Sequence, residues 1–196
     1  MNSLASSTDE SNVKTTNPWL VTVLRFAQRI DFFKPFNRFS LPMKEVNYTV
    51  LQKIQTLIAS IAVGCQYTCE INEALVPDTA AANLIGLPQF PEQSQINRFL
   101  TRCTADNVAQ LKAIHQELFC EHHLHQSEGK QIMVDIDQSG LIAGGKTYEL
   151  ANKGYFPRRR GMKGYQLSAA FAGQTDQALS FYLDPGNTHC NDRFAD

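Results

Sequence analysis

The hydrophobic period of this 196-residue chain changes once, and that change constrains its fold more than any other feature. Before the polar stretch Gln126–Gly129, apolar residues recur at spacings of three and four, as on one face of a helix. After it the pattern becomes strand-like. A helical region over residues 18–125 and a sheet over residues 130–196 are therefore expected, an α+β chain. In the first region Trp19–Phe33 reads as a helix ended by Pro35. Val46–Val63 carries the clearest pattern, on Val46, Val50, Ile54, Leu57, Ile58 and Ile61, with Gly64 as its stop. Gln66–Leu75 reads as a further helix closed by Pro77. Asp78 is the expected N-cap of Thr79–Ile85, which Gly86 ends. Pro91–Cys103 follows, then a long helix capped by Thr104 and using Val108, Leu111, Ile114, Leu118 and Phe119. In the second region Gln131–Asp137 reads as a buried strand. Gly164–Ala172 and Ala178–Leu183 read as an antiparallel hairpin turned at Gly173–Asp176.

Composition narrows the class. Met1–Asn17 is rich in Ser, Thr and Asn, lacks the apolar run of a signal peptide, and is expected to be a disordered tail. No apolar stretch is long enough for a membrane span, so a cytoplasmic location is expected. Five cysteines at irregular spacings, with no CxxC pair, suit reduced thiols rather than a disulfide framework. The net charge of −1 says nothing about nucleic acid, but its distribution does. Lys146, Lys153, Arg158, Arg159, Arg160 and Lys163 stand against Glu149 alone, either a phosphate-contacting surface or a solvated loop.

The chemistry-bearing motifs are short. Asp135 and Asp137 alternate with Val134 and Ile136, so both carboxylates fall on one face of a strand, with Asp137 at its expected tip. Such a pair suits Mg²⁺ or Mn²⁺, which prefer hard oxygen ligands. The bland alternative is an edge strand whose acids face water. The same D-x-D spacing fits a Mg²⁺-dependent phosphatase of the haloacid dehalogenase type, with Ser139 as its hydroxyl. That fold continues through parallel strands, whereas a basic loop and a hairpin follow here. Thr79–Ile85 with Glu92–Cys103 can be read as a helix-turn-helix whose Gln93, Ser94, Gln95, Asn97, Arg98 and neighbouring Arg102 meet DNA. Two packed helices with a polar outer face are the alternative. His115, His122, His123 and His125 form no metal-ligand spacing and read as a solvated helix end. Gly140–Thr147 matches G-x-x-x-x-G-K-T literally, but opens no clear helix.

Taken in order, Val134-Asp135-Ile136-Asp137-Gln138-Ser139, Lys153-Gly154-Tyr155, Gly161-Met162-Lys163-Gly164-Tyr165 and Leu183-Asp184-Pro185-Gly186-Asn187-Thr188-His189 resemble the DDE transposases of bacterial insertion sequences. Gly64, Leu84–Gly86 and Pro91–Leu100 resemble their helical N-terminal region, so the likeness covers roughly residues 45–196. The resemblance implies an RNase H-like domain in which two metal ions are held by an Asp on strand one, an Asp on strand four and a later Glu. Asp137 matches the first acid, and Asp135 is the less favoured choice or a supporting group. The resemblance implies DNA cleavage and transfer, a bacterial origin, DNA as partner, and a second copy or a full-length transposase as another. Strand four and the other two acids have no place here. The expectation is therefore a truncated transposase of three strands, inactive alone and binding no metal tightly. A helical DNA-binding regulator without enzymatic role is the rival expectation.

Overall fold

The computed structural model describes residues 15–44, 47–123, 133–145, 148–157, 159–173, 175 and 177–193. The chain divides into two compact units, Met1–Leu118 and Phe119–Asp196.

The first unit is helical: α1 (Pro18–Arg29), α2 (Val50–Ala62), α3 (Ile71–Ala74), α4 (Thr79–Leu84), α5 (Gln93–Arg102) and α6 (Ala105–His123), the last running past the unit's boundary. Pro18 starts α1, where its missing N–H costs nothing. The helix stops earlier than Pro35 requires, because Asp31 turns the backbone into the left-handed region at φ 52°. A 3₁₀ turn at Lys34–Arg38 follows and folds Phe33 and Phe36 inward. Leu20, Leu24, Phe36, Ile54, Ile71, Leu75, Phe90, Ile96, Phe99 and Ile114 form one continuous core.

Helix α2 carries a full capping box, with Thr49 and Gln52 bonding each other's backbone. Its buried face is rotated from the expected one. Ile61 is 72% exposed, while Lys53, Thr56 and Ser60 are buried. The hydroxyls tolerate this because Thr56 donates to the Gln52 carbonyl and Ser60 to the Leu57 carbonyl of their own helix. Gln66–Leu75 is not one helix: a 3₁₀ turn at Thr68–Glu70 leads into the single turn of α3. In α6, Val108 and Leu111 are exposed and Asn107 and Ile114 are buried. Thr104 does not cap it through its oxygen; the Asn107 carboxamide accepts from the Thr104 N–H at 3.0 Å and ties back to the Ser40 carbonyl at 2.8 Å.

Asp78 caps α4 as expected, accepting the Ala81 N–H on Oδ1 at 2.9 Å. Its other oxygen holds the segment Thr15–Asn17, accepting from Thr15 Oγ1, Thr16 N and Asn17 N at 3.0, 3.2 and 3.0 Å. Thr15–Asn17, expected within a disordered tail, are thus pinned to the core; the rest of that tail lies outside the described residues.

The second unit contains a sheet of β1 (Val134–Ile142), β2 (Asn152–Lys153), β3 (Lys163–Ala172) and β4 (Gln177–Pro185). Every pairing is antiparallel, with β3 between β1 and β4, and the short β2 joined to the start of β3. The expected hairpin is present, with a register shift at Ala170/Phe171. Strand one differs from expectation in two ways. It runs on through Gln138–Ile142, because Gly164–Ser168 of β3 continue the ladder opposite, and it is largely exposed rather than buried. Residues 131–132 of the expected strand, and the expected boundary at 126–129, lie outside the described residues. Among the described residues, no helix is long and apolar enough to cross a membrane.

Candidate nucleic-acid interface

The carboxylate pair is built by β1. Alternation puts Asp135 and Asp137 on one face, opposite Phe171 and Ala169 of β3. Both acids are exposed, and Asp137 lies within the strand rather than at its tip. Around them the same face carries Leu141, Phe171, Phe181 and Leu183, all partly open to solvent. Ser139, next along that face, donates to Asp137 Oδ2 across a long 3.5 Å. The Cα atoms of the two acids are roughly 7 Å apart along the strand, the repeat of alternate residues. Among the described residues no group of three or more His, Cys, Asp or Glu is arranged to hold a metal ion. The pair supplies hard carboxylate oxygens without a third such ligand beside it among the described residues. Asp184 is buried within β4, in register with Gln166.

The cationic segment folds around the start of β3. Lys153 lies directly opposite Lys163 in the β2–β3 ladder. Arg159 and Arg160 lie on the connection between these strands, and all four side chains are exposed. None of the four makes an ion pair among the described residues. Two ammonium groups facing each other across a ladder repel, which an intervening anion reverses. Lys146 and Arg158 lie outside the described residues. From Lys163 to Ala169, the partner of Asp137, β3 advances six residues, or roughly 20 Å.

In the first unit, Arg98 and Arg102 stand one turn apart on the outer face of α5, both exposed beside Ser94, Asn97 and Thr101. The helix-turn-helix expectation is corrected. Eight residues, 85–92, separate α4 from α5, where such a motif uses a turn of three or four. Moreover α4 packs on α1 and α5 on α2, so the two do not form a paired unit. The phosphate-loop match also fails, since Gly140–Ile142 belong to β1 instead of a turn that opens a helix. His122 is half-buried, its Nε2 enclosed without a hydrogen-bond partner among the described residues, so this helix end is not wholly solvated; His125 lies outside the described residues.

The sequence did carry a signal for the lysine pair. Lys-Gly-Tyr occurs twice, at 153–155 and 163–165, and the structure sets the two lysines opposite each other. Both glycines are needed. A Cβ on Gly154 would overlap the Gly186 carbonyl, and one on Gly164 would overlap the Leu141 carbonyl. No protein-family model, curated protein or solved structure matches the chain.

Proposed function

We propose that this chain is a DNA-binding part of a DDE-type transposition machinery, with Asp137 as one metal-holding carboxylate and Lys153–Lys163 as the phosphate grip. The observation that carries the DNA contact is the unneutralised pair Lys153–Lys163 with Arg159 and Arg160 beside it. The RNase H-like reading is supported by an antiparallel β1–β3–β4 order that places Asp137 on its first strand. When bound, Mg²⁺ or Mn²⁺ would activate water or a DNA 3′-hydroxyl and stabilise the leaving oxygen. Asp137, with Asp135 beside it, would hold one ion's oxygen shell, and the cationic segment would fix the DNA roughly 20 Å away, about six base steps of roughly 3.4 Å. Since the described residues bring only this pair to the site, we expect no strand cleavage from this chain alone. A full-length relative is the proposed source of the remaining acids, and a second copy is the other proposed partner.

The helical regulator remains a second reading, favoured by the exposed Arg98 and Arg102 on α5. The phosphatase reading gains nothing from a sheet whose described pairings are all antiparallel. Titrating labelled duplex DNA with the full chain at increasing salt tests the proposal. Affinity should fall steeply with salt, and a missing or salt-independent interaction overturns it. Reading the coding DNA beyond codon 196 for an Asp at a strand end and a later Glu tests the transposase assignment separately.

A further inference from the structure

Two loops close over the face of the sheet opposite the carboxylates. By alternation, Gln138 and Gly140 of β1 share that face with Ser168 and Gln166 of β3. The Gln166 side chain, only 6% exposed, donates through Nε2 to the Tyr155 carbonyl at 3.3 Å and the Gly186 carbonyl at 3.2 Å. Two carbonyls on one side dictate which end of the amide is nitrogen. Oε1 is left as an acceptor without a partner among the described residues. Gln138 repeats the arrangement: its Nε2 donates to Ser168 Oγ at 3.2 Å, leaving a second carbonyl oxygen.

The loops are fixed walls, because the backbone at Gly154 lies against the Gly186 carbonyl. Between them is a cleft of about 650 Å³ lined by Gln138, Tyr155, Gln166, Asn187, Thr188 and His189. Tyr155 is 84% exposed, so its ring is open to stacking. No carboxylate lines the cleft, which makes it a poor cation site. A neighbouring cleft of about 430 Å³ shares Gly140 and Pro157 with it and carries Arg159.

We propose that this cleft takes one unpaired nucleobase of DNA. The base stacks on Tyr155, its exocyclic amine donates to the Gln166 and Gln138 carbonyl oxygens, and its phosphate meets Arg159. This rests on the reading of the chain as DNA-binding. The base-contacting Gln138 and Gln166 lie on the face opposite Asp137, so the captured nucleotide is an anchor rather than the reacting one.

The test uses the full chain with labelled oligo(dC) and oligo(dT) strands of about 12 nucleotides, and a duplex, read by fluorescence anisotropy. Cytosine offers the amine and thymine does not, so oligo(dC) should bind more tightly. Tyr155→Ala, a surface change, should weaken single-strand binding roughly five- to hundredfold and leave the duplex unaffected, with Tyr155→Phe restoring it. If Tyr155→Ala leaves single-strand binding intact while Lys153→Ala/Lys163→Ala weakens it, the base site is wrong and the DNA reading stands. If the chain binds neither form, both fall.

Discussion

Replacing Asp78 by alanine should unsettle the helical unit more than any other single polar change in it. The carboxylate is fully buried and accepts from Thr15 Oγ1, Thr16 N, Asn17 N and Ala81 N at 2.9–3.2 Å. Loss of an N-cap costs about 1–2 kcal/mol. A hydrogen bond to a charged group contributes about 1.5–3 kcal/mol, and the Thr15–Asn17 contacts share one oxygen, so they count once rather than three times. The expected loss is about 3–4 kcal/mol, a large fraction of an ordinary domain's stability. Urea denaturation followed by circular dichroism at the helix band is the suitable assay. Trp19, the single tryptophan, is already 66% exposed and reports unfolding weakly. Asp78→Asn should fall between, because an amide keeps one acceptor but turns a donor toward backbone N–H groups. An Asp78→Ala protein within about 1 kcal/mol of the parent would refute the claim that this carboxylate clamps Thr15–Asn17 to the core.

Other outcomes follow from the same geometry. Thr49→Ala, which opens the α2 capping box, should cost about 1 kcal/mol by the same denaturation assay. Gly154→Ala should lower the melting temperature of the sheet unit, since overpacking against the Gly186 carbonyl costs about 1–3 kcal/mol; an unchanged melt would show that the two loops are not locked. Burial pushes the thiols of Cys65 and Cys103 up, with the Glu70 carboxylate adding to the effect at Cys65. Less thiolate is then present near neutral pH, so timed alkylation read by mass spectrometry should label exposed Cys69 and Cys120 first. Labelling of Cys65 and Cys103 should catch up as pH rises above the ordinary thiol range, and equal rates at all pH values would contradict the burial argument.

Local chemistry was legible in the sequence and distant pairing was not. Asp78 could be read as a cap because its partner Ala81 is three residues away; its hold on Thr15–Asn17 spans more than 60 residues and left no local pattern. Gly64 and Gly86 were readable as helix stops, and both have positive φ. The face of α2 was misread because hydroxyls bonded to their own helix can be buried at little cost. The end of β1 was misread because Gln138, Ser139 and Gly140 look like a turn until β3 is placed beside them. At the candidate site, alternation alone gave the shared face of Asp135 and Asp137. The lysine pair needed the β2–β3 register, and the Gln166 contacts needed two loops brought together from different parts of the chain.

The most direct test of the central claim is the salt dependence of duplex binding in the parent chain and in Lys153→Ala/Lys163→Ala. If phosphate sits between the two lysines, removing both should weaken binding to every sequence alike and reduce the slope of log affinity against log salt by about two. An unchanged slope and affinity would contradict the account.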